Sequence, residues 1–156
     1  MATTTSLIDL RGSAPRVEDA SAPAHEGDPV ARAIEMKQRL RSAVQFLEAA
    51  RWAAWRGVTG VNPSAALGKY KRARRLFAVT EGRSDLYPVF QFDENAEPLE
   101  GIARVLAAVP PDLNEWALLS WFESRNHLLD EKKPSDLIAS APERVAAAAQ
   151  RFYARE

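Results

Sequence analysis

Cysteine is absent from this chain of 156 residues, and histidine occurs only twice, at His25 and His127. The first absence excludes disulfides, thiolate metal sites and cysteine nucleophiles, and it suits a reducing compartment. With so little histidine, and no two close enough for metal-ligand spacing, a zinc centre is not expected. There is no apolar run near the roughly 20 residues that span a bilayer. The N-terminus, MATTTSLIDLRGSAPRVED, has no apolar core of a secretory signal, so a cytoplasmic protein without membrane contact is expected. Neither sign of charge is in excess, because Lys+Arg and Asp+Glu both number 21. Electrostatic arguments must therefore be local. A glycine-rich phosphate loop and a Gly-x-Ser-x-Gly elbow are also missing. The pair Asp93-Glu94 sits in a loop without an identifiable partner, and His127 near Asp130 reads as a turn residue. The sequence offers no enzyme chemistry and implies no cofactor.

What is present is apolar content of 46%, enough for a core in one domain. Residues 1–27, rich in Ala, Ser, Thr, Pro and Gly, read as a disordered tail. Asp28-Pro29 is a helix start, with Asp as cap and Pro at the first helical position. Ile34, Leu40, Val44 and Leu47 follow at near-helical spacing. Ser42 and Gln45 could form a capping box, which leaves one long helix or two abutting ones, stopped by Gly57 and Gly60. Asn62-Pro63 repeats the start signal and opens a helix to about Arg75. Leu76–Val79 and Asp85–Phe92 flank a glycine-containing turn and read as a hairpin, whose Pro88 assigns the second arm to an edge or a bulge. A helix is expected from Pro98 to Ala108. Pro110-Pro111-Asp112 should end it and cap another, over Leu113–Glu123. A short turn at KPSDLIAS and a last helix from Pro142, through Val145, Ala149, Phe152 and Tyr153, complete a mainly α protein. Its expected plan is a helical bundle with a degenerate helix-turn-helix and hairpin over residues 28–97, then a small helical module over 98–156.

Two stretches carry binding chemistry. From Asn62 to Arg83 the cations Lys69, Lys71, Arg72, Arg74, Arg75 and Arg83 face Glu81 alone, a local charge of +5. Helix, turn, basic helix and hairpin is an order that sets cations against DNA phosphates, with the hairpin as a wing. A solvated basic face is the plain alternative, and Trp52, Trp55 and the glycines of RWAAWRGVTG fit a regular helix-turn-helix poorly. The second stretch is WFESRNHLLDEKKPSDLI, residues 121–138. Trp121, Leu129, Pro134 and Leu137 read as core of a helix–turn–helix joint, and Asn126 as a residue that closes a helix or bonds the following turn.

In order and spacing, Trp121, Asn126, Leu129 and the run KPSDLI ahead of an alanine-rich last helix resemble the toxin-binding domain of the Xre/MbcA/ParS antitoxins. The upstream LFAV, LYPVFQFD and GIARVL resemble the other half of some members, so the resemblance covers about residues 40–156. Where that family's turn usually has glycine after the leucine, this chain has Asp130-Glu131, and a regular Xre helix-turn-helix is not recognisable. The resemblance implies a small, usually oligomeric α-helical antitoxin. It would bind a cognate protein toxin, typically a RES-domain protein that consumes NAD, and its N-terminal part would bind the operon's operator DNA. Toxin contacts are expected from the last helix and tail, at Gln150, Arg151, Tyr153, Arg155 and Glu156, with Asn126 and Lys133 beside them. The alternatives from other classes are a stand-alone DNA-binding regulator whose C-terminal module dimerises, and a scaffold that binds through exposed Trp and Tyr.

Overall fold

Asp28 accepts hydrogen bonds from the backbone N–H groups of Val30 and Ala31 through its carboxylate, and so starts helix α1, Pro29–Ala43. A computed structural model of the chain describes residues 28–60 and 62–154; the tail expected over 1–27 lies outside the described residues. Compactness divides the chain into residues 1–39 and 40–156, so the border expected near Glu97 falls inside the second unit.

Neither one long helix nor two abutting ones follows Asp28. After α1 the backbone extends into strand β1, Phe46–Leu47, and only then forms α2, Ala49–Arg56. Gly57 ends α2 in the left-handed conformation, φ 79°, with its N–H shared between the carbonyls of Ala53 and Ala54, the closure glycine makes without a Cβ clash. Asn62 caps α3, Pro63–Arg72, by accepting from the N–H of Ala65. This helix stops three residues before Arg75, because Arg74 turns left-handed at φ 57° and the N–H of Arg75 closes onto the carbonyl of Tyr70.

Strands β2, Val79–Glu81, and β3, Ser84–Pro88, form the hairpin, joined at Gly82-Arg83. β1 adds to the other side of β3, which makes an antiparallel sheet in the order β1-β3-β2. The proline-bearing arm is therefore the central strand, not an edge. Proline is tolerated because of where its missing donor points. The Val89 N–H bonds the Gln45 carbonyl on the β1 side, and successive N–H groups alternate sides. Pro88 thus faces the β2 side, beyond Val79, where the β2 ladder has already finished. Gln91, fully buried, takes over there: its amide accepts from Phe77 N–H at 2.9 Å and donates to Phe77 C=O at 2.8 Å.

The remaining helices are α4, Glu100–Ala108, α5, Glu115–Phe122, the one-turn α6, Pro134–Leu137, and α7, Pro142–Tyr153. The cap of α5 is Asn114, not Asp112: its side-chain oxygen accepts from the N–H groups of Trp116 and Ala117. α4 packs along α7. Gly101 makes that approach possible, since a Cβ there would stand 2.8 Å from the Cβ of Pro142.

Two aromatic clusters organise the core of the second unit. Trp52 is buried with Leu67, Leu76, Tyr87 and Phe92, and its indole N–H donates to the carbonyl of Ala96 at 2.9 Å. Phe77 stacks on Phe122 at 5.6 Å, and Phe90 lies 5.0 Å from Phe122 and 6.3 Å from Phe77. Full burial of one such ring contributes about 1.5–3 kcal/mol. Because Phe122 ends α5 while Phe77 and Phe90 flank the hairpin, the second cluster joins the basic half to the C-terminal module.

Candidate functional site

The α2–turn–α3 unit and its hairpin present the basic surface. The tryptophans that spoil the sequence pattern do not obstruct it. Trp52 points into the core, and Trp55, 41% exposed, sets its ring edge-on to Phe92. Leu67 is fully buried and Tyr70 half-buried on one side of α3, which leaves Ser64, Ala65, Lys69 and Arg72 exposed on the other.

The six cations divide into two sets. Lys71 pairs with Asp85 at 3.0 Å. Arg74 donates to the Leu106 carbonyl at 2.6 Å, so it closes the C-terminal end of α4. Arg75 lies over the Tyr70 ring, 4.9 Å from its centroid. Lys69, Arg72 and Arg83 remain exposed, with no ion pair among the described residues. Composition could count these charges but could not tell which ones the fold uses internally. Between α3 and the hairpin lies a polar hollow of about 390 Å³, where Ser64, Lys71 and Arg83 meet Glu48, Asp85 and Tyr87. Burial, then the nearby Asp85 carboxylate, pushes the Tyr87 phenol up to about 12 from 10.0. Burial also raises the carboxyl of Glu115 at the start of α5, with Lys71 opposing the shift and Asp85 adding to it.

The C-terminal module is built around the turn after α5. Asn126 does not close the helix; Glu123 is its C-cap. Asn126 bonds the following turn instead. Its side chain accepts from the N–H of Leu128 at 2.9 Å, its carbonyl accepts from Leu129 and Glu131, and its own N–H donates to the carbonyl of Lys132. Asp130 and Glu131 then both adopt left-handed backbone, φ 60° and 65°. Leu129, Pro134 and Trp121 are buried. Leu137, expected in the core, is half-buried, and Ile138 occupies the inner position at 1% exposure. The reason is periodic: Ile138 lies four residues after Pro134 and shares its face of the turn.

Between α5, this turn and the last turn of α7 lies a groove of about 590 Å³. Pro110, Leu113 and Ala117 line one part, and Trp121, Leu128, Phe152 and Tyr153 another. Ser120 and Ser124 with Arg125, Asn126 and His127 supply its polar lining. Phe152, which helical spacing assigns to the inner face, is 47% exposed at the groove and edge-on to Tyr153 at 4.9 Å. Its outward position has no local signal, because it depends on the empty space opposite.

Of the residues expected to meet a partner, Gln150 and Arg151 are exposed. Tyr153 is mostly buried against Trp121, 6.2 Å between ring centroids, and shows only part of itself to the groove. Lys133 is half-buried and reaches Glu123 at 3.5 Å. Arg155 and Glu156 lie outside the described residues. Among the described residues no group of three or more His, Asp or Glu could hold a metal ion, and no helix is long and apolar enough to cross a membrane. No family model matches the chain, and neither a curated protein nor a solved structure does so.

Proposed function

We propose that this protein is the antitoxin of a bacterial toxin–antitoxin pair, which neutralises a cognate protein toxin by binding it through the C-terminal module. The observation that carries the reading is the joint at residues 121–138. Asn126, Leu129 and Pro134 build an internally hydrogen-bonded turn, α7 packs on α4, and its last turn meets α5 where Tyr153 approaches Trp121, beside a largely apolar groove. A turn with this much internal hydrogen bonding suits aiming a surface better than merely connecting two helices. The toxin implied by the resemblance is of the RES, NAD-consuming kind. Inhibition is by occlusion and needs no cofactor or catalytic group on this chain. The test is co-expression with the product of the adjacent gene. A stable complex and rescue of growth are expected. No complex, together with growth unaffected by this protein, would sink the reading.

A specific observation also supports a second activity, binding of operator DNA by α3 and the hairpin. Lys69, Arg72 and Arg83 have no ion pair among the described residues on one helix–turn–helix–hairpin unit, whereas Lys71, Arg74 and Arg75 are engaged within the fold. Changing all three free cations to Ala should weaken binding to the upstream promoter in a gel shift. The logarithmic salt slope should fall by up to about 0.9 for each phosphate that is no longer neutralised. Changing the engaged Lys71 should cost stability before DNA affinity. Unchanged DNA binding by the triple variant would remove this surface from consideration.

A further inference from the structure

The volume of the groove at the end of α7, about 590 Å³, lies within the roughly 300–1,000 Å³ of pockets that enclose a ligand. Its lining defines the chemistry that fits. The apolar share comes from Leu113 just before α5, from Ala117 and Trp121 on α5, from Leu128 in the turn, and from Phe152 at its edge. An aromatic ring left half in water beside such a groove is the kind of side chain that anchors an interface.

Charge narrows the choice. Arg125 and His127 line the groove, and among the described residues no carboxylate does. The closest acids in sequence are already occupied, Glu123 by Lys133 and Asp130 by Arg144. Arg125 has no ion-pair partner among the described residues, so its guanidinium stands free at the rim. The buried indole N–H of Trp121, itself part of the lining, has no acceptor among the described residues. We infer that this groove seats a segment of the toxin that presents a row of apolar side chains and a carboxylate opposite Arg125. The inference rests on the antitoxin reading above and deepens it: the toxin is gripped at the groove by burial, and Arg125 sets the register of its segment by charge.

The experiment measures the affinity of the full chain for the purified product of the adjacent toxin gene, with three variants. Ala117→Trp fills the groove from an exposed position on α5. Arg125→Glu reverses the rim charge. Arg51→Glu makes the same reversal on the exposed face of α2, far along the chain from the groove. The first two should raise Kd by about tenfold or more, as loss of an anchor or of a matched charge does. The Arg125→Glu deficit should shrink as salt is raised, because an exposed pair is screened. Arg51→Glu should bind like the wild type. Circular dichroism checks the folding of Ala117→Trp, and if that variant unfolds, Arg125→Glu decides alone. A wild-type complex left unaltered by both groove variants overturns the groove and leaves the antitoxin reading standing. A loss shared equally by Arg51→Glu overturns it too, since bulk charge would then explain the effect. No complex with the wild type overturns both readings.

Discussion

Gln91 shows how one side chain can stand in for a strand. Its amide meets both backbone groups of Phe77 in a fully buried position, where an unmet donor or acceptor costs about 1–3 kcal/mol. Gln91→Leu orphans two such groups at once and should destabilise the protein by about 3 kcal/mol, seen in urea as an earlier midpoint at an unchanged slope. Glu131 is the opposite case. Its left-handed backbone, φ 65°, disfavours any residue with a Cβ by roughly 1–2 kcal/mol, and its side chain makes no hydrogen bond or ion pair among the described residues. Glu131→Gly should therefore stabilise by about 1 kcal/mol, part of the relief being offset by the freedom glycine gains in the unfolded chain. A lower melting temperature for that variant would refute the argument. At this scale the sequence is informative where chemistry is local. Asp28, Asn62 and Pro142 mark helix starts, because a cap needs only the next three residues. It is silent on Leu137 against Ile138, since both are apolar and only the docked turn chooses between them.

Among the elements, the packing of α4 on α7 depends on one missing side chain. Gly101→Ala gains up to about 1 kcal/mol of helix propensity, but its Cβ would lie 2.8 Å from Pro142 Cβ and 3.0 Å from Ile138 Cδ1. Overpacking of this kind costs about 1–3 kcal/mol, and the proline ring has little room to yield. The net effect should be destabilising, measurable as a lower melting temperature. Strand β3 carries a pH dependence through Tyr87. Its folded pKa of about 12 lies above the ordinary 10.0, so at high pH the unfolded chain loses its phenolic proton first. The associated stability is whole below pH 10 and is lost as pH rises through about 12. Tyr87→Phe should flatten the fall in stability over that window; an equally steep fall in the variant would count against the sheet as its source. Strand β1 illustrates why elements can stay hidden. Two residues, Phe46 and Leu47, have no periodicity to read, and their strand exists only through Pro88 and Tyr87, some forty positions later. The helices from Pro63 and from Pro142 were legible because each carries its own start signal and an apolar stripe.

For the molecule as a whole, the sequence made the charge of the basic helix legible and the groove illegible. A cation is a property of a residue, whereas a groove is a space among α5, a turn and the end of α7. The described residues from 40 onward share one core through Phe77, Phe90 and Phe122, reinforced by Arg74 on the Leu106 carbonyl and the Trp116 indole on the Thr80 carbonyl. Chemical denaturation of this region should therefore give a single transition, coincident by tryptophan fluorescence and by circular dichroism. A residue 98–156 fragment should fail to fold alone; a cooperative melt from it would refute the shared core. The aromatic cluster also bears on inheritance. A crossover between positions 97 and 98 would hand Phe122 to a stranger's Phe77 and Phe90, so an exchange that looks like swapping one module would instead mismatch the stack. If the basic face and the groove each recognise a partner, those two specificities have to be passed on together, as one gene segment from about residue 40 onward.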